Sequence, residues 1–240
     1  MFVLLTIFAC ASPTPDAGPL FWQGQVYNDI PIDGVGGLAE GAIEVRDMDG
    51  ETLTLGTQPE TNNLSTWRLS LSGIPEEVEL RISGPEQLTT VWRTTLPDRR
   101  SFWFSGTFFA VKAATMAPMW EALGEMTGET LNQSGGASLY GESLPLNDTD
   151  LAAWTGAEVT VYDAEGGVHP AITLSTTEEG FLVLADDTTG PVSAFTVTDL
   201  PVGPLRLVID ASDGRHVVMD YNAEAGELLS AFAFTLPENK

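Results

Sequence analysis

The chain has 240 residues, 34 of them acidic and 10 basic, for a net charge of −24; such a surface repels nucleic-acid phosphates and anionic headgroups, which argues against a nucleic-acid partner. It attracts divalent cations, basic proteins or cationic polymers, although acidic charge also serves solubility alone. Hydrophobic residues make up 43%, enough for packed cores at a length that suits one large or two ordinary domains, and a single cysteine excludes an intramolecular disulfide, so stability must come from burial.

The chain opens with an apolar run, Phe2-Val3-Leu4-Leu5-Thr6-Ile7-Phe8-Ala9, closed by Cys10 and followed by the small, polar, Pro-rich stretch Ala11 to Pro19. An apolar region ending in a small residue is the pattern of a secretory signal, and this one is shorter than the ~20 residues that span a bilayer. Ile7-Phe8-Ala9-Cys10 resembles a bacterial lipobox, in which the cysteine thiol is lipidated and becomes the new N-terminus. That resemblance implies a lipoprotein signal segment at 1–9, a lipidation site at Cys10 and a tether at 10–19. The protein would then be extracytoplasmic, held at an outer membrane or cell surface by acyl chains worth about 0.8 kcal/mol per buried CH2.

Beyond the tether, the pattern is alternating or short apolar runs broken by Gly, Pro and Asp, which is the signature of antiparallel strands. Trp67-Arg68-Leu69-Ser70-Leu71 and Val78-Glu79-Leu80-Arg81-Ile82 alternate cleanly, and Leu53 and Leu55 alternate with threonines. Period-two alternation predicts one buried and one wet face. The second half repeats the order. Gly41 to Gly50 resembles Gly156 to Gly166, each a strand followed by an Asp/Gly turn. Leu69 to Pro75 resembles Phe195 to Pro201, and Val78-Glu79-Leu80-Arg81-Ile82 matches Leu205-Arg206-Leu207-Val208-Ile209. Both copies close on an aromatic segment, Phe102-Trp103-Phe104 and Phe232-Ala233-Phe234. The order predicts a duplicated domain, and two packed repeats could share one interface.

This succession of Gly-Ala strand, Asp/Gly turn, alternating strand, Leu/Ile-Pro and further strand resembles the transthyretin-like, carboxypeptidase-regulatory-type β-sandwich, over about residues 20–110 and 135–237. Immunoglobulin-like sandwiches fit the same pattern. The resemblance implies an all-β chain of two tandem antiparallel sandwiches, 20–112 and 135–240, with a linking helix and loop at 113–134. Such domains recur in bacterial surface lipoproteins. In the link, Met119, Leu123 and Met126 recur at i, i+4 and i+7, Pro118 suits a first helical turn and Gly128 suits a stop. The stripe is expected to face the protein's own core, and Glu129 to Gly136 reads as a flexible link.

Chemistry-bearing residues are sparse. His169 precedes Pro170 in an expected loop, His216 follows a turn, and nothing joins them into the three or four ligands that zinc needs. Gly141-Glu142-Ser143-Leu144-Pro145 lacks the last glycine of a nucleophile elbow, and Asp187-Thr188-Thr189-Gly190 is one copy of a loop that works only in pairs. Two enzymatic relatives of the transthyretin-like fold also fail on the residues. One uses several histidines and a Tyr-Arg-Gly-Ser end where this chain has Leu236-Pro237-Glu238-Asn239-Lys240; the other uses two tyrosines and two histidines on iron. The acidic groups Asp47/Asp49/Glu51, Asp148/Asp150, Asp163/Glu165, Glu178/Glu179 and Asp186/Asp187 read first as turn carboxylates, with calcium as the alternative. The six tryptophans, Trp22, Trp67, Trp92, Trp103, Trp120 and Trp154, read first as core and second as a sugar-stacking face.

The expectation is therefore a non-enzymatic, lipid-anchored envelope protein with no cofactor and no metal site. It would have a structural or adhesive role and bind another envelope protein or polymer. A carbohydrate- or calcium-binding module of a surface complex is the alternative.

Overall fold

The computed structural model describes residues 20–28, 42–53, 66–71, 77–84, 86–95, 103–132, 134–142, 154–176, 182–185, 191–192, 194–210, 214 and 216–232. The signal segment, Cys10 and the tether lie outside them. Seventeen strands and one helix are described, so the chain is all-β, as the alternation predicts.

The first half contributes β1 (Leu20–Asn28), β2 (Ala42–Asp47), β3 (Thr66–Leu71), β4 (Glu77–Ser83), β5 (Thr90–Thr95) and β6 (Trp103–Ala110). After helix α1 (Ala113–Thr127) come β7 (Ala137–Glu142), β8 (Trp154–Thr155), β9 (Glu158–Asp163), β10 (Val168–Pro170), β11 (Ile172–Thr176) and β12 (Leu182–Leu184). The chain continues through β13 (Pro191–Val192), β14 (Ala194–Leu200), β15 (Gly203–Asp210), β16 (His216–Ala223) and β17 (Leu228–Phe232).

Strand pairing shows the same plan twice. β2 pairs antiparallel with β4, and β4 with β5; β9 pairs antiparallel with β15, and β15 with β16. Likewise β1 lies antiparallel to β3 and parallel to β6, while β7 lies antiparallel to β14 and parallel to β17. The match reaches single residues. Asp47 sits opposite Val78 and Asp163 opposite Leu205, so Val78, Leu80 and Ile82 hold the places of Leu205, Leu207 and Ile209. The hairpin turns agree bond for bond. In each, the first Asp N–H donates to a carbonyl four residues on, Glu51 at 2.9 Å or Gly167 at 3.1 Å. Gly50 and Gly166 occupy the left-handed region at φ 87° and 84°, where a Cβ would be strained.

The sheets do not divide at the middle of the chain. One eight-stranded sheet runs β12-β11-β14-β7-β17-β5-β4-β2, beside sheets ordered β3-β1-β6, β10-β9-β15-β16 and β13-β8. The join is the parallel pairing of β17 with β5, Leu228 to Thr90, Leu229 to Val91 and Ser230 to Trp92. Val91 is accordingly packed in the core of the second half, with Leu139, Val161, Phe195, Leu207 and Leu229. A second cluster gathers Met116, Trp120 and Leu123 of α1 on Tyr140, Leu174, Ala194 and Leu228.

Three local expectations change. The buried stripe of α1 is Met116, Trp120 and Leu123, not Met119, Leu123 and Met126, and Met126 is exposed. The helix starts earlier than its proline suggests, with Pro118 inside it and Gly128 closing it in the left-handed conformation at φ 75°. The following segment is tied down, because the Ser134 N–H donates to Asp199 Oδ1 at 2.5 Å and the Gly136 N–H to Ser134 Oγ at 3.2 Å. β17 ends at Phe232; the side chain of Phe232, with Ala233 and Phe234, lies outside those described.

Candidate functional site

The alternation of β4 buries Val78, Leu80 and Ile82 on one face, as expected. Its other face is not wet. Glu79 is 3% and Arg81 5% exposed, because the join between β5 and β17 carries the segment Asp220 to Glu227 across it. Charged groups sealed from water must be paired, and here they are. Arg81 Nη1 meets Glu227 Oε1, Nη2 lies 3.3 Å from Glu79 Oε2, and Nη2 donates to the Asn222 carbonyl at 3.1 Å. The Asn222 N–H returns a bond to Glu79 Oε1 at 3.4 Å. The Glu224 N–H donates to Glu227 Oε2 at 2.8 Å.

Two further arginines extend the seam. Arg93 on β5 pairs with Glu77 and donates to the Asp220 carbonyl at 2.8 Å. Arg46 on β2 bridges Glu44 at 3.0 Å and Glu224 at 2.8 Å, and Thr52 Oγ1 donates to Glu44 Oε1 at 2.5 Å. The hydrogen bond from Arg46 holds the Glu44 carboxyl below its ordinary value of 4.5, and the same pair raises the Arg46 pKa. Burial pushes the Glu227 carboxyl above its ordinary 4.5, against the pull of the Glu224 N–H and of Arg81. Three of the ten basic residues thus lie on one strip between the halves. The carboxylates of the strip are taken up by arginines and backbone N–H groups, and its geometry clamps one part of the chain to another.

The strip was legible in one respect. Glu44, Arg46, Glu79, Arg81 and Arg93 all fall on the polar positions of their strands. What a pattern reading lacks is the tertiary cover that turns those positions inward.

The histidines stand at opposite edges of the sheet β10-β9-β15-β16, His169 on β10 and His216 on β16. His169 is therefore in a strand, not a loop. Its Nε2 lies 2.9 Å from Asp163 Oδ2, and the Gly167 N–H donates to Asp163 Oδ1 at 2.6 Å. The His169 bond, then the backbone bond, hold the Asp163 carboxyl below its ordinary 3.8. His216 Nδ1 lies 2.6 Å from Asp210 Oδ1. Asp47 behaves as a turn carboxylate, accepting from the N–H groups of Asp49 at 3.0 Å and Glu51 at 2.8 Å. Among the described residues no three His, Cys, Asp or Glu side chains converge as a metal site. No described helix is long and apolar enough to cross a membrane.

Trp92 and Trp120 are buried, and the Trp120 indole N–H donates to Thr196 Oγ1 at 3.4 Å; neither can stack on a sugar. The side chains of Trp22, Trp67, Trp103 and Trp154 lie outside those described. An open depression of about 620 Å³ beside α1, lined by Trp120, Glu121, Glu125, Glu129 and Leu131 among others, carries an acidic rim.

No protein-family model matches the chain, and no curated protein matches it. Solved structures similar to it include the TIE protein of Bacillus anthracis, at TM-score 0.27 and 11% identity, with 89% of this chain covering 34% of that one. The chain thus spans about a third of that protein's length. The major pilin subunit of Bacillus cereus is similar at TM-score 0.29 and 8% identity over 88% of this chain and 69% of that one. A minor pilin of Streptococcus agalactiae is similar at TM-score 0.23 and 9% identity over 92% and 99%. Scores of this size carry no argument, and the functional reading rests on the chain's own residues.

Proposed function

We propose that this is a non-enzymatic, lipid-anchored extracytoplasmic protein with a structural or adhesive role in the cell envelope. Cys10 carries the anchor, residues 10–19 are the tether, and two β-sandwich units are fused into one stiff body that meets another envelope protein or polymer. The observation that supports it most is the join itself. Parallel pairing of β17 with β5, reinforced by the buried Arg81–Glu79–Glu227 cluster, opposes the relative movement of the units. A rigid spacer or adhesive stalk needs that property; a binding cleft that must open does not.

The test uses cells making the wild-type chain or Cys10→Ser, fed a labelled fatty acid, fractionated and treated with external protease. The expected result is a labelled, membrane-bound wild type that protease removes from intact cells, and an unlabelled variant in the soluble fraction. Equal labelling of both chains, or a wild type found in the soluble fraction, overturns the anchor. A wild type that is membrane-bound yet shielded from external protease overturns the surface role.

A further inference from the structure

The doubled strand plan supplies an internal comparison. In the first copy, the polar face of β2-β4-β5 consists of Glu44 and Arg46, Glu79 and Arg81, and Val91 and Arg93. Their register pairs are Glu44 with Arg81, Arg46 with Glu79, Arg81 with Val91 and Glu79 with Arg93. In the second copy, the same positions on β9-β15-β16 hold Thr160 and Tyr162, Arg206 and Val208, and Val218 and Asp220, paired in the same way. The first face is covered: Glu79, Arg81 and Val91 are 3%, 5% and 0% exposed, beneath the second half. The second face is open over most of its extent, Thr160 alone being buried at 8% and Val208 half-buried. Tyr162 is 40% and Val218 45% exposed, and Val168 of β10, opposite Tyr162, is 60% exposed.

The open copy is also the more apolar. Where the covered face places Arg81 beside Val91, the open one places Val208 beside Val218. Where the covered face places Glu79 beside Arg93, the open one carries a self-satisfied pair, Arg206 to Asp220 at 2.6 Å. Contiguous apolar side chains on the outward face of a sheet mark an interaction surface.

The edge of β16 continues the comparison. β17 pairs with β5 at Thr90, Val91 and Trp92, whose equivalents on β16 are Val217, Val218 and Met219. In the other half of β16, the carbonyls of Asp220 and Asn222 already accept bonds from Arg93 and Arg81. The stretch corresponding to the internal join is thus the one beside the open face, and β16 ends its sheet among the described residues. The strand holding the place of β17 in the first half is β6, parallel to β1 as β17 is to β7. It also ends its sheet among the described residues.

We propose that the face formed by Tyr162, Val208 and Val218, with the adjacent edge of β16, docks the first half of a second copy of this chain, repeating between molecules the join that exists within one. The contact is head-to-tail. Each copy has one face of each kind, so assembly continues in a row and does not close at a dimer. Strand addition at an open edge supplies the backbone bonds, and the apolar face supplies the burial.

The test uses the full chain carrying Cys10→Ser, which removes lipid and thiol as other sources of association, in sedimentation velocity across a wide concentration range at 0.15 and 0.5 M NaCl. A series of species beyond the dimer is expected. It should strengthen with salt, because the like charge of −24 is screened while apolar burial is not. Tyr162→Ser with Val218→Lys should weaken association at least tenfold, whereas Val202→Lys, at an exposed apolar position on the β14–β15 turn, should not. Matching urea midpoints of the variants establish that all fold. A chain bearing only Val218→Lys should still dock through its first half, so added in excess it should shorten the wild-type series. A chain monomeric throughout overturns the proposal. So does a series that stops at a dimer, association indifferent to the double variant, or a Val218→Lys chain that fails to shorten the series.

Discussion

Replacing Arg81 by Met keeps most of the side-chain volume in the seam and removes its charge. Two carboxylates that are buried with it, Glu79 and Glu227, lose their main partner. Glu227, whose carboxyl burial already raises, can then remain ionised without compensation or take up a proton. Protonation at pH 7 sets the ceiling for Glu227: from an ordinary value of 4.5, at ~1.36 kcal/mol per pH unit, it is about 3.4 kcal/mol. Glu227 retains the Glu224 N–H, so its share falls below that ceiling, and Glu79, left with the Asn222 N–H, adds the cost of a lost ion-pair partner. A loss of about 3–5 kcal/mol is expected, in line with broken buried pairs elsewhere. The pH dependence separates this reasoning from simple loss of packing. A carboxyl raised above its unfolded pKa is favoured folded when protonated, so its penalty is absent below about pH 4.5 and grows as pH rises. Urea unfolding followed by tryptophan fluorescence should show the destabilisation shrinking between pH 7 and 5.5, by up to about 2 kcal/mol for Glu227. A loss under about 1 kcal/mol at pH 7, or an equal loss at both pH values, refutes the reasoning.

Glu227→Gln removes one of the two buried carboxylates paired with Arg81 and should destabilise the protein at pH 7 by about 1–3 kcal/mol, less than the loss of Arg81 because Glu79 still pairs the guanidinium. It should also remove the part of the wild-type profile that rises as pH falls toward 4.5, as read by urea midpoints against pH. Asp163→Asn should act in the opposite direction. Its carboxyl is lowered in the fold, so its contribution is present above pH 3.8 and lost on acidification; the variant's melting temperature should be less acid-sensitive there. Gly141→Ala puts a Cβ 2.4 Å from the Ala231 carbonyl oxygen and 2.2 Å from the Phe195 ring, and thermal melts should show a loss of about 1–3 kcal/mol or more. Thr196→Val leaves the Leu139 carbonyl, which accepts at 2.9 Å, and the Trp120 indole N–H short of a partner, for about 1–3 kcal/mol and a shifted tryptophan emission.

The doubled plan was readable because a turn and an alternating strand each leave a local signature. Asp47 and Asp163 with their glycines, and Val78-Leu80-Ile82 against Leu205-Leu207-Ile209, align in sequence and then in hydrogen-bond register. The seam was not readable, because whether Glu79 and Arg81 face water depends on residues Asp220 to Glu227, far along the chain. No periodicity carries that distance. The face of α1 was misplaced for a related reason. Met and Trp occur all around it, and only the neighbours Leu174, Ala194 and Leu228 decide that Met116 and Trp120 turn inward.

The pairing of β5 with β17 also constrains when the protein can finish folding. The two strands lie about 140 residues apart, a separation whose loop-closure entropy makes such contacts late and slow. A nascent chain that has delivered β2, β4 and β5 still holds an open strand edge beside Val91 and a half-exposed Arg81, both waiting for a partner that has not emerged. Unpaired edges of this kind recruit the wrong strands. Passage through a membrane in an unfolded state, with collapse deferred until β17 is through, would hide that edge for the interval when it is most dangerous.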